Sequence, residues 1–297
     1  MDGIINVYKE KGYTSFDVVA KLRGILKIRK IGHTGTLDPD AEGVLPVCIG
    51  KATRVCDLLT DKDKSYRAVI RLGVTTDTLD MTGKVLKTGE VNCSVDEVRN
   101  VLDKFTGKIY QTPPMYSAIK IGGERLYDLA RKGIEVERKP REVMIYSIEI
   151  LDIILPLVTI QVDCSKGTYI RTLCNDVGEA LSCGGAMESL VRTQASGFEI
   201  KDAYTLEEIE KKRDDGTLDK IVLPIDEALL DYPSFFCVPE ADRFLKNGNR
   251  LTLTEVISET DSCFSGQSRA YFSDGTFAGI YEYVEDDREF KAVKLFI

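Results

Sequence analysis

The chain has 297 residues, of which 43% are hydrophobic and 30% are charged, and its formal net charge is −8. This composition is typical of a globular protein, and the length allows one large domain and one small domain with a sizeable core. No basic and apolar leader opens the sequence and no apolar run reaches the length of a membrane span, so we expect a soluble cytoplasmic protein.

The spacing of the cysteines and the distribution of charge limit which metals and macromolecules we expect the protein to bind. The eight cysteines lack CxxC or Cys/His spacing, which argues against zinc and indicates reduced thiols. From Thr205 onward the chain holds 20 acidic and 11 basic residues, whereas the first 204 residues hold 28 acidic and 29 basic ones. The excess acidity therefore lies in the last third, and an RNA-binding face on the rest of the chain is allowed but not demanded.

The first elements in chain order are a strand and a helix. Residues 2–8 form a short apolar segment that is typical of a strand. Thr14 to Asp17 match a capping box, which predicts the start of a helix. Its expected buried stripe is Phe16, Val19, Ala20 and Leu26. A basic cluster ends this helix, and both a solvated helix end and a phosphate contact remain open for its members, Lys27, Arg29 and Lys30.

Residues 32–46 contain three glycines and two prolines, so we expect an irregular loop and neither a helix nor a central strand. The loop holds His33, the only histidine of the chain, and Asp38, which precedes Pro39. A residue before proline is pushed towards extended backbone, which projects Asp38 in a defined direction. From the residues alone, Asp38 is either a catalytic carboxylate or an Asx-turn residue that caps the loop.

The next segments are predicted to be a helix over 52–59, an alternating strand over 66–72 and a second capped helix that begins at Ser94. In that helix Val98, Leu102 and Phe105 are expected to point inward. Between the strand and the second helix, Asp77 and Asp80 are either metal ligands or loop residues that bond their neighbours. The missing further ligands favour the loop interpretation.

Residues 104–141 carry the best nucleic-acid signal in the composition. They hold nine basic and four acidic side chains, with Tyr110, Tyr116 and Tyr127 interleaved. The paired prolines Pro113 and Pro114 exclude regular structure over 112–118.

The remaining pattern predicts strands over 143–154 and 157–163, a helix over 172–181, a strand with a turn over 190–198 and a short acidic helix after Thr205. From about residue 232 the sequence pattern changes and indicates short β segments separated by turns. These segments are 251–256, 268–272, 277–284 and 290–295. These segments predict a small β-barrel-like domain appended to a larger mixed domain.

A series of motifs resembles the TruB family of tRNA pseudouridine synthases. The matching segments, in family order, are 32–39 with 43–45, 64–68, 73–80, 113–120 with Gly123, Tyr127, Ala130 and Arg131, 166–171 and 190–193. They extend over roughly residues 5–200, which makes the resemblance specific. One departure lies near the start, where the family usually has Lys-Pro-x-Gly and this chain has Lys9-Glu10-Lys11-Gly12, which leaves the local turn open.

The resemblance implies an α+β pseudouridine synthase fold with a mixed, largely antiparallel sheet flanked by helices. The implied catalytic domain spans residues 1–231, with an RNA-clamping insertion at about 104–141, and a PUA-type RNA-binding domain spans 232–297. The implied reaction isomerises the T-loop uridine (position 55) of tRNA without cofactor or metal, in a cytoplasmic monomer that needs no protein partner and that also assists tRNA folding. A guide-RNA-dependent synthase of the related branch and an RNA-binding or RNA-folding factor remain alternatives.

The resemblance also assigns roles to individual residues. Asp38 is implied as the essential carboxylate, which Arg171 holds ionised as its partner, and Tyr66 stacks on the target base and moves a proton at C5. His33 inserts where the flipped base had been, with acid/base chemistry as the second option. The other implied contacts are Tyr169 beside the site, Leu190 in the apolar wall behind the base, and Lys9, Lys120 and Arg131 at backbone phosphates.

Overall fold

A computed structural model of the chain describes residues 1–117, 119–258 and 266–297. In these ranges the chain forms one nine-stranded sheet, one six-stranded sheet and two small two-stranded sheets. The described cysteines are free, and Cys263 lies outside the described residues. No helix in the described ranges has the length and apolar character that crossing a membrane requires.

The strands are β1 (Gly3–Lys9), β2 (Ile31–His33), β3 (Glu42–Ile49), β4 (Lys64–Leu72), β5 (Val74–Thr76), β6 (Val85–Thr88), β7 (Gly107–Gln111), β8 (Lys120–Ile121), β9 (Glu124–Arg125), β10 (Arg141–Ile154), β11 (Leu157–Cys164), β12 (Gly185–Ala195), β13 (Phe198–Glu199), β14 (Ser234–Cys237), β15 (Leu251–Thr252), β16 (Val256–Ser258), β17 (Gly266–Tyr271), β18 (Phe277–Val284) and β19 (Glu289–Leu295). The α-helices are α1 (Ser15–Leu26), α2 (Cys56–Thr60), α3 (Val95–Asp103), α4 (Leu126–Arg131), α5 (Ile170–Ala180), α6 (Leu206–Asp214) and α7 (Asp242–Lys246).

The large sheet has the strand order β1-β3-β12-β4-β11-β10-β7, with β2 added to β3 and β13 added to β12. Its pairings are antiparallel except between β3 and β12, where Gly43 lies opposite Arg192 in parallel register. One face of β4 packs into the main core with residues of α3 and α5. The predicted mixed, largely antiparallel sheet is therefore confirmed.

The prediction that residues 32–46 form one irregular loop is wrong at both ends. Residues up to His33 belong to β2, and β3 begins at Glu42 and lies between β1 on one edge and β2 and β12 on the other. Pro46 is tolerated inside β3 because β2 ends beside it: the Thr34 N–H donates to the Pro46 carbonyl at 3.1 Å, and no strand residue there needs a donor from Pro46. The irregular part is limited to residues 34–41, which we call the Asp38 loop.

The capped helices form where they were predicted, but one buried face differs. Thr14, Ser94 and Thr205 each make a complete capping box. In α1, however, Phe16 is 65% exposed, and the buried residues are Ser15, Val18, Val19 and Leu22. The predicted stripe through Phe16 and Ala20 was therefore wrong. The true stripe starts one residue earlier, because the Ser15 side chain must face Leu37 in the Asp38 loop.

The basic segment is shorter than 104–141. β7 pairs with β10 inside the large sheet, so the part that leaves the sheet runs from residue 112 to 140. Residues 112–117 are irregular, as the prolines predicted, and Ala118 lies outside the described residues. We call residues 112–140 the basic segment; it contains the separate β8–β9 pair and α4.

The terminal strands form a nearly closed, barrel-like and PUA-like sheet, in the order β15-β19-β18-β17-β14-β16, which confirms the predicted small β domain. Its core contains Phe235, Tyr281 and Phe290. The single strand predicted over 251–256 is instead β15 and β16, separated by a turn in which Glu255 bonds the backbone N–H of Thr252. A shared core of Ile280 and Phe296 with residues such as Leu59 joins this sheet to the large one.

Candidate active site

The Asp38 loop is tied down on both sides of its carboxylate. On one side Leu37 is buried, and its backbone N–H donates to Ser15 Oγ at 2.8 Å. On the other side, the Pro39 carbonyl accepts from the Gly12 N–H at 2.9 Å and from Lys9 Nζ at 3.1 Å. Asp38 is thus held between two fixed neighbours, and its side chain remains 39% exposed. The loop therefore presents the Asp38 carboxylate on an immobilised backbone.

These contacts correct the assignment of Lys9. Its side chain is fully buried, and Nζ donates to the carbonyl groups of Pro39 and Glu10. Burial lowers the pKa of Lys9 to about 8. Since a buried ammonium cannot reach a phosphate at the surface, Lys9 supports the Asp38 loop and does not face solvent. The charge pattern missed this because it does not reveal which way a side chain points.

Asp38 forms the ion pair that the sequence motifs led us to expect. Arg171, in the first turn of α5, places Nε 3.1 Å from Asp38 Oδ2. The same guanidinium donates to the carbonyl groups of Thr78 and Tyr116, at 3.1 and 2.7 Å. Because Arg171 is buried and held at several atoms, its position relative to Asp38 is fixed.

Asp80 is a further member of this cluster that the sequence did not assign to the site. Its Oδ2 lies 3.5 Å from Arg171 Nη1, and the residue is buried. Its Oδ1 accepts from the Thr78 and Thr82 hydroxyls and from the Thr82 N–H, as the loop interpretation predicted. The carboxylate therefore bonds its own loop and also contacts the arginine. In the described ranges no group of three or more His, Cys, Asp or Glu side chains is arranged to hold a metal ion.

The electrostatics of Asp38 differ from the simple expectation that its arginine partner holds it ionised. Burial raises the pKa of Asp38 above its usual value, and Arg171 opposes this rise. Asp80 adds to the rise, because it is a second negative charge and shares the same guanidinium. The net effect is a carboxylate that takes up a proton more readily than a free aspartate does.

Three apolar or aromatic residues lie around the cluster. Tyr66 on β4 and Leu190 on β12 are buried in one core cluster with Leu37. Tyr169 is half-buried and comes directly before α5. Its backbone N–H donates to Gln111 Oε1 at 2.9 Å, and Gln111 Nε2 donates back to the Tyr169 carbonyl at 3.2 Å. Gln111 is a supporting residue that no local sequence pattern indicates, since its partner lies 58 positions away.

His33 stands at the entrance to the Asp38 loop, at the end of β2. The Gly35 N–H donates to His33 Nδ1 at 3.3 Å, which leaves the proton of the neutral ring on Nε2. Burial and the nearby charge of Arg192 lower the pKa of His33 below its usual value. The ring is therefore neutral at neutral pH, the state that stacking on nucleobases favours.

Lys120 and Arg131 are placed apart from this cluster, in the basic segment. Both are exposed, Lys120 on β8 and Arg131 at the end of α4. Arg131 lies 5.6 Å from the centre of the Tyr127 ring. The basic segment reaches the cluster through Tyr116, whose carbonyl accepts a hydrogen bond from Arg171.

The fold is that of a pseudouridine synthase. A chain in the solved structure of an H/ACA RNP bound to a substrate RNA containing 2'-deoxyuridine matches with a TM-score of 0.77 at 25% identity. The match covers 99% of this chain and 85% of that chain.

The sequence comparisons define the family within this class. The model of the TruB family pseudouridylate synthase N-terminal domain matches residues 23–170, and the model of the tRNA pseudouridylate synthase B C-terminal domain matches residues 171–230. The tRNA pseudouridine synthase B of Lachnoclostridium phytofermentans is 53% identical and that of Clostridium kluyveri 46% identical, each over the full length of both chains. The chain belongs to the TruB family of pseudouridine synthases and is an isomerase.

Proposed function

We propose that this enzyme isomerises the T-loop uridine of tRNA, position 55, to pseudouridine. The relatives named tRNA pseudouridine synthase B support tRNA as the substrate class. The observation that carries the catalytic assignment is the Asp38–Arg171 ion pair on an immobilised loop, beside the apolar wall that includes Tyr66 and Leu190.

The proposed chemistry balances without a redox partner. The bond between N1 of the uracil and C1′ of the ribose breaks, the base rotates while bound, and C5 joins C1′. The C5 proton is lost and N1 gains a proton. Asp38 acts at the ribose, either as a nucleophile at C1′ or by assisting departure of the uracil. Arg171 orients this carboxylate, and Tyr66 packs on the base and moves the proton at C5.

Reaching the target requires that the uridine leave its stack in the folded T-loop, at a cost of a few kcal/mol. The neutral ring of His33 fills the space left by the flipped base and recovers part of that cost by stacking. Tyr169 packs beside the flipped nucleotide. Lys120 and Arg131 contact backbone phosphates of the stem-loop, which their exposure on the basic segment supports. The acidic terminal domain touches the acceptor end only weakly.

A guide-RNA-dependent role is the second candidate, and the structural match to a chain of an H/ACA RNP favours it. The two candidates differ in what the purified chain needs. We propose a cytoplasmic monomer that acts without partner protein, guide RNA, metal or cofactor. The higher identity to full-length relatives named for tRNA supports this choice.

The test is tritium release from an isolated T-arm stem-loop that carries 5-tritiated uridine, incubated with the purified chain alone in the presence of a metal chelator. We expect release to approach one tritium per stem-loop. A matched anticodon stem-loop should release none. Turnover that appears only after a guide RNA or partner proteins are added would contradict the proposal.

A further inference from the structure

Besides Arg171, three cationic side chains are buried around the Asp38 loop: Lys9, Lys64 and Arg192. Each donates to backbone carbonyl groups, Lys9 as described above and Lys64 to those of Thr60 and Lys62. Arg192 is only 1% exposed, and no carboxylate forms an ion pair with it within residues 1–117, 119–258 and 266–297. Because a buried charge without a charged partner is costly, its position calls for an explanation.

Arg192 joins the start of the Asp38 loop to the strand β3 that follows the loop. Its Nε donates to the Val44 carbonyl at 2.7 Å and its Nη2 to the Gly35 carbonyl at 3.1 Å. Its backbone also packs on Gly43, where an added Cβ would lie 2.3 Å from the Arg192 carbonyl oxygen. Only glycine permits this close approach of β3 and β12. The side chain and the backbone of one residue therefore hold the start of the loop against the first residues of β3.

Arg192 also contacts Tyr66. The two residues lie opposite each other in the β12–β4 ladder, and the guanidinium acts electrostatically on the Tyr66 hydroxyl. Burial raises the pKa of Tyr66, Asp38 raises it further, and Arg192 opposes both. The negative charge of Asp38 and the positive charge of Arg192 therefore act on this hydroxyl in opposite directions.

We propose that Arg192 is a positioning residue for Tyr66: from the opposite position in the ladder, its guanidinium fixes the Tyr66 side chain relative to Gly35 of the Asp38 loop and Val44 of β3. Tyr66 and Asp38 are then held in fixed positions relative to each other, so that Tyr66 contacts the base while Asp38 acts at the sugar. This inference rests on the proposed function, since it assigns Arg192 to the same reaction. Arg192 is too deeply buried to contact RNA, so its effect must appear in the rate of the bound complex and not in RNA affinity.

The test is a double-mutant cycle between Arg192 and Tyr66. Single-turnover rates at saturating stem-loop, and stem-loop affinity, are measured for the wild-type chain, Arg192→Met, Tyr66→Phe and the double variant. We expect Arg192→Met to slow the wild-type chain at least about tenfold, but to slow the Tyr66→Phe background by less than about threefold, because contacting residues are strongly coupled. Affinity should stay within about twofold of wild type for all four proteins.

Arg71→Met is the control for loss of a guanidinium on the same sheet. Arg71 pairs with Glu188 on the partly exposed face, and its substitution should leave rate and affinity unchanged. If Arg192→Met does not fold, Arg192→Lys carries the same cycle, because one ammonium cannot span the Val44 and Gly35 carbonyls. Equal losses in both Tyr66 backgrounds, or a loss of affinity alone, would overturn the inference. An inactive wild-type chain would instead refute the proposed function.

Discussion

The Asp38 loop and the basic segment are both irregular, yet they are built in opposite ways. Ser15, Lys9 and Arg192 tie the loop to α1, β1 and β12. The basic segment has its own small sheet and short helix, and it exposes Lys120 and Arg131. The comparison indicates a division of labour. Bond cleavage needs fixed atoms and therefore a buried, cross-linked loop, whereas phosphate contact tolerates movement and needs exposed charge.

The largest effect is expected at the carboxylate that the loop presents. Asp38→Asn keeps the shape of the side chain but removes its charge, so turnover should fall by about a thousandfold or more. Tritium release under single-turnover conditions measures the change. Asp40→Asn, which alters an exposed carboxylate of the same loop, should stay close to wild type. Comparable losses in the two variants would show that the charge of the loop matters and not the position of Asp38.

Asp80→Asn tests whether the loop depends on its buried support. Removal of one of the two carboxylates on Arg171 should let the guanidinium shift, and a displacement of about 1 Å is enough to cost up to about a hundredfold in rate. We expect a loss of about 10- to 100-fold in kcat with little change in KM. Asp77→Asn, in the same turn, is the matched control.

The same variant predicts a change in pH dependence. Asp80 raises the pKa of Asp38, so its removal should lower that pKa and move the acid limb of the kcat profile to lower pH. An acid limb that stays in place would indicate that Asp80 does not act on Asp38 electrostatically.

His33 shares one property with each region. It is held in place by Gly35, as the Asp38 loop is held by its neighbours, and it is expected to contact RNA, as the basic segment is. Stacking on a base contributes about 1–3 kcal/mol, so His33→Ala should slow turnover about tenfold. His33→Phe keeps a flat ring and should retain much of the activity. Stem-loop turnover at several RNA concentrations distinguishes the two variants. The opposite order, with His33→Phe worse than His33→Ala, would favour acid/base chemistry.

The smallest effect is expected in the basic segment. The double variant Lys120→Ala/Arg131→Ala should weaken stem-loop affinity about three- to tenfold, because each residue contributes one exposed phosphate contact. The slope of log affinity against log salt should fall by about 2. Filter binding across a salt series measures both. Lys139→Ala combined with Lys104→Ala, which removes two other basic side chains of residues 104–141, provides a charge-matched comparison.

How much of the molecule the sequence predicts depends on the range of the interaction. The helices capped by Thr14, Ser94 and Thr205 were predicted because the residues of a capping box lie close together in the sequence. The strand through Pro46 was not predicted. Whether a proline is tolerated there depends on where the neighbouring strand β2 ends, and a local sequence pattern does not show that. The alternation predicted over residues 66–72 is present in β4, where Tyr66 lies on the buried face.

The site divides in the same way. Residue types and spacing left two roles open for Asp38. Its pairing with Arg171 was expected only from the family motifs. Asp80, Gln111 and Arg192 act through partners that are 58 or more positions away, so no local pattern identifies them. The buried state of Lys9 was missed for the same reason.

The division of labour between the two regions is tested most directly by one measurement: the single-turnover rate at saturating stem-loop for Asp38→Asn and for Lys120→Ala/Arg131→Ala, side by side. Saturation removes differences in affinity and leaves differences in chemistry. We predict that the double variant recovers the wild-type rate, whereas Asp38→Asn remains about a thousandfold slower or worse. Recovery of Asp38→Asn at high RNA, or a persistent rate loss in the double variant, would contradict this account.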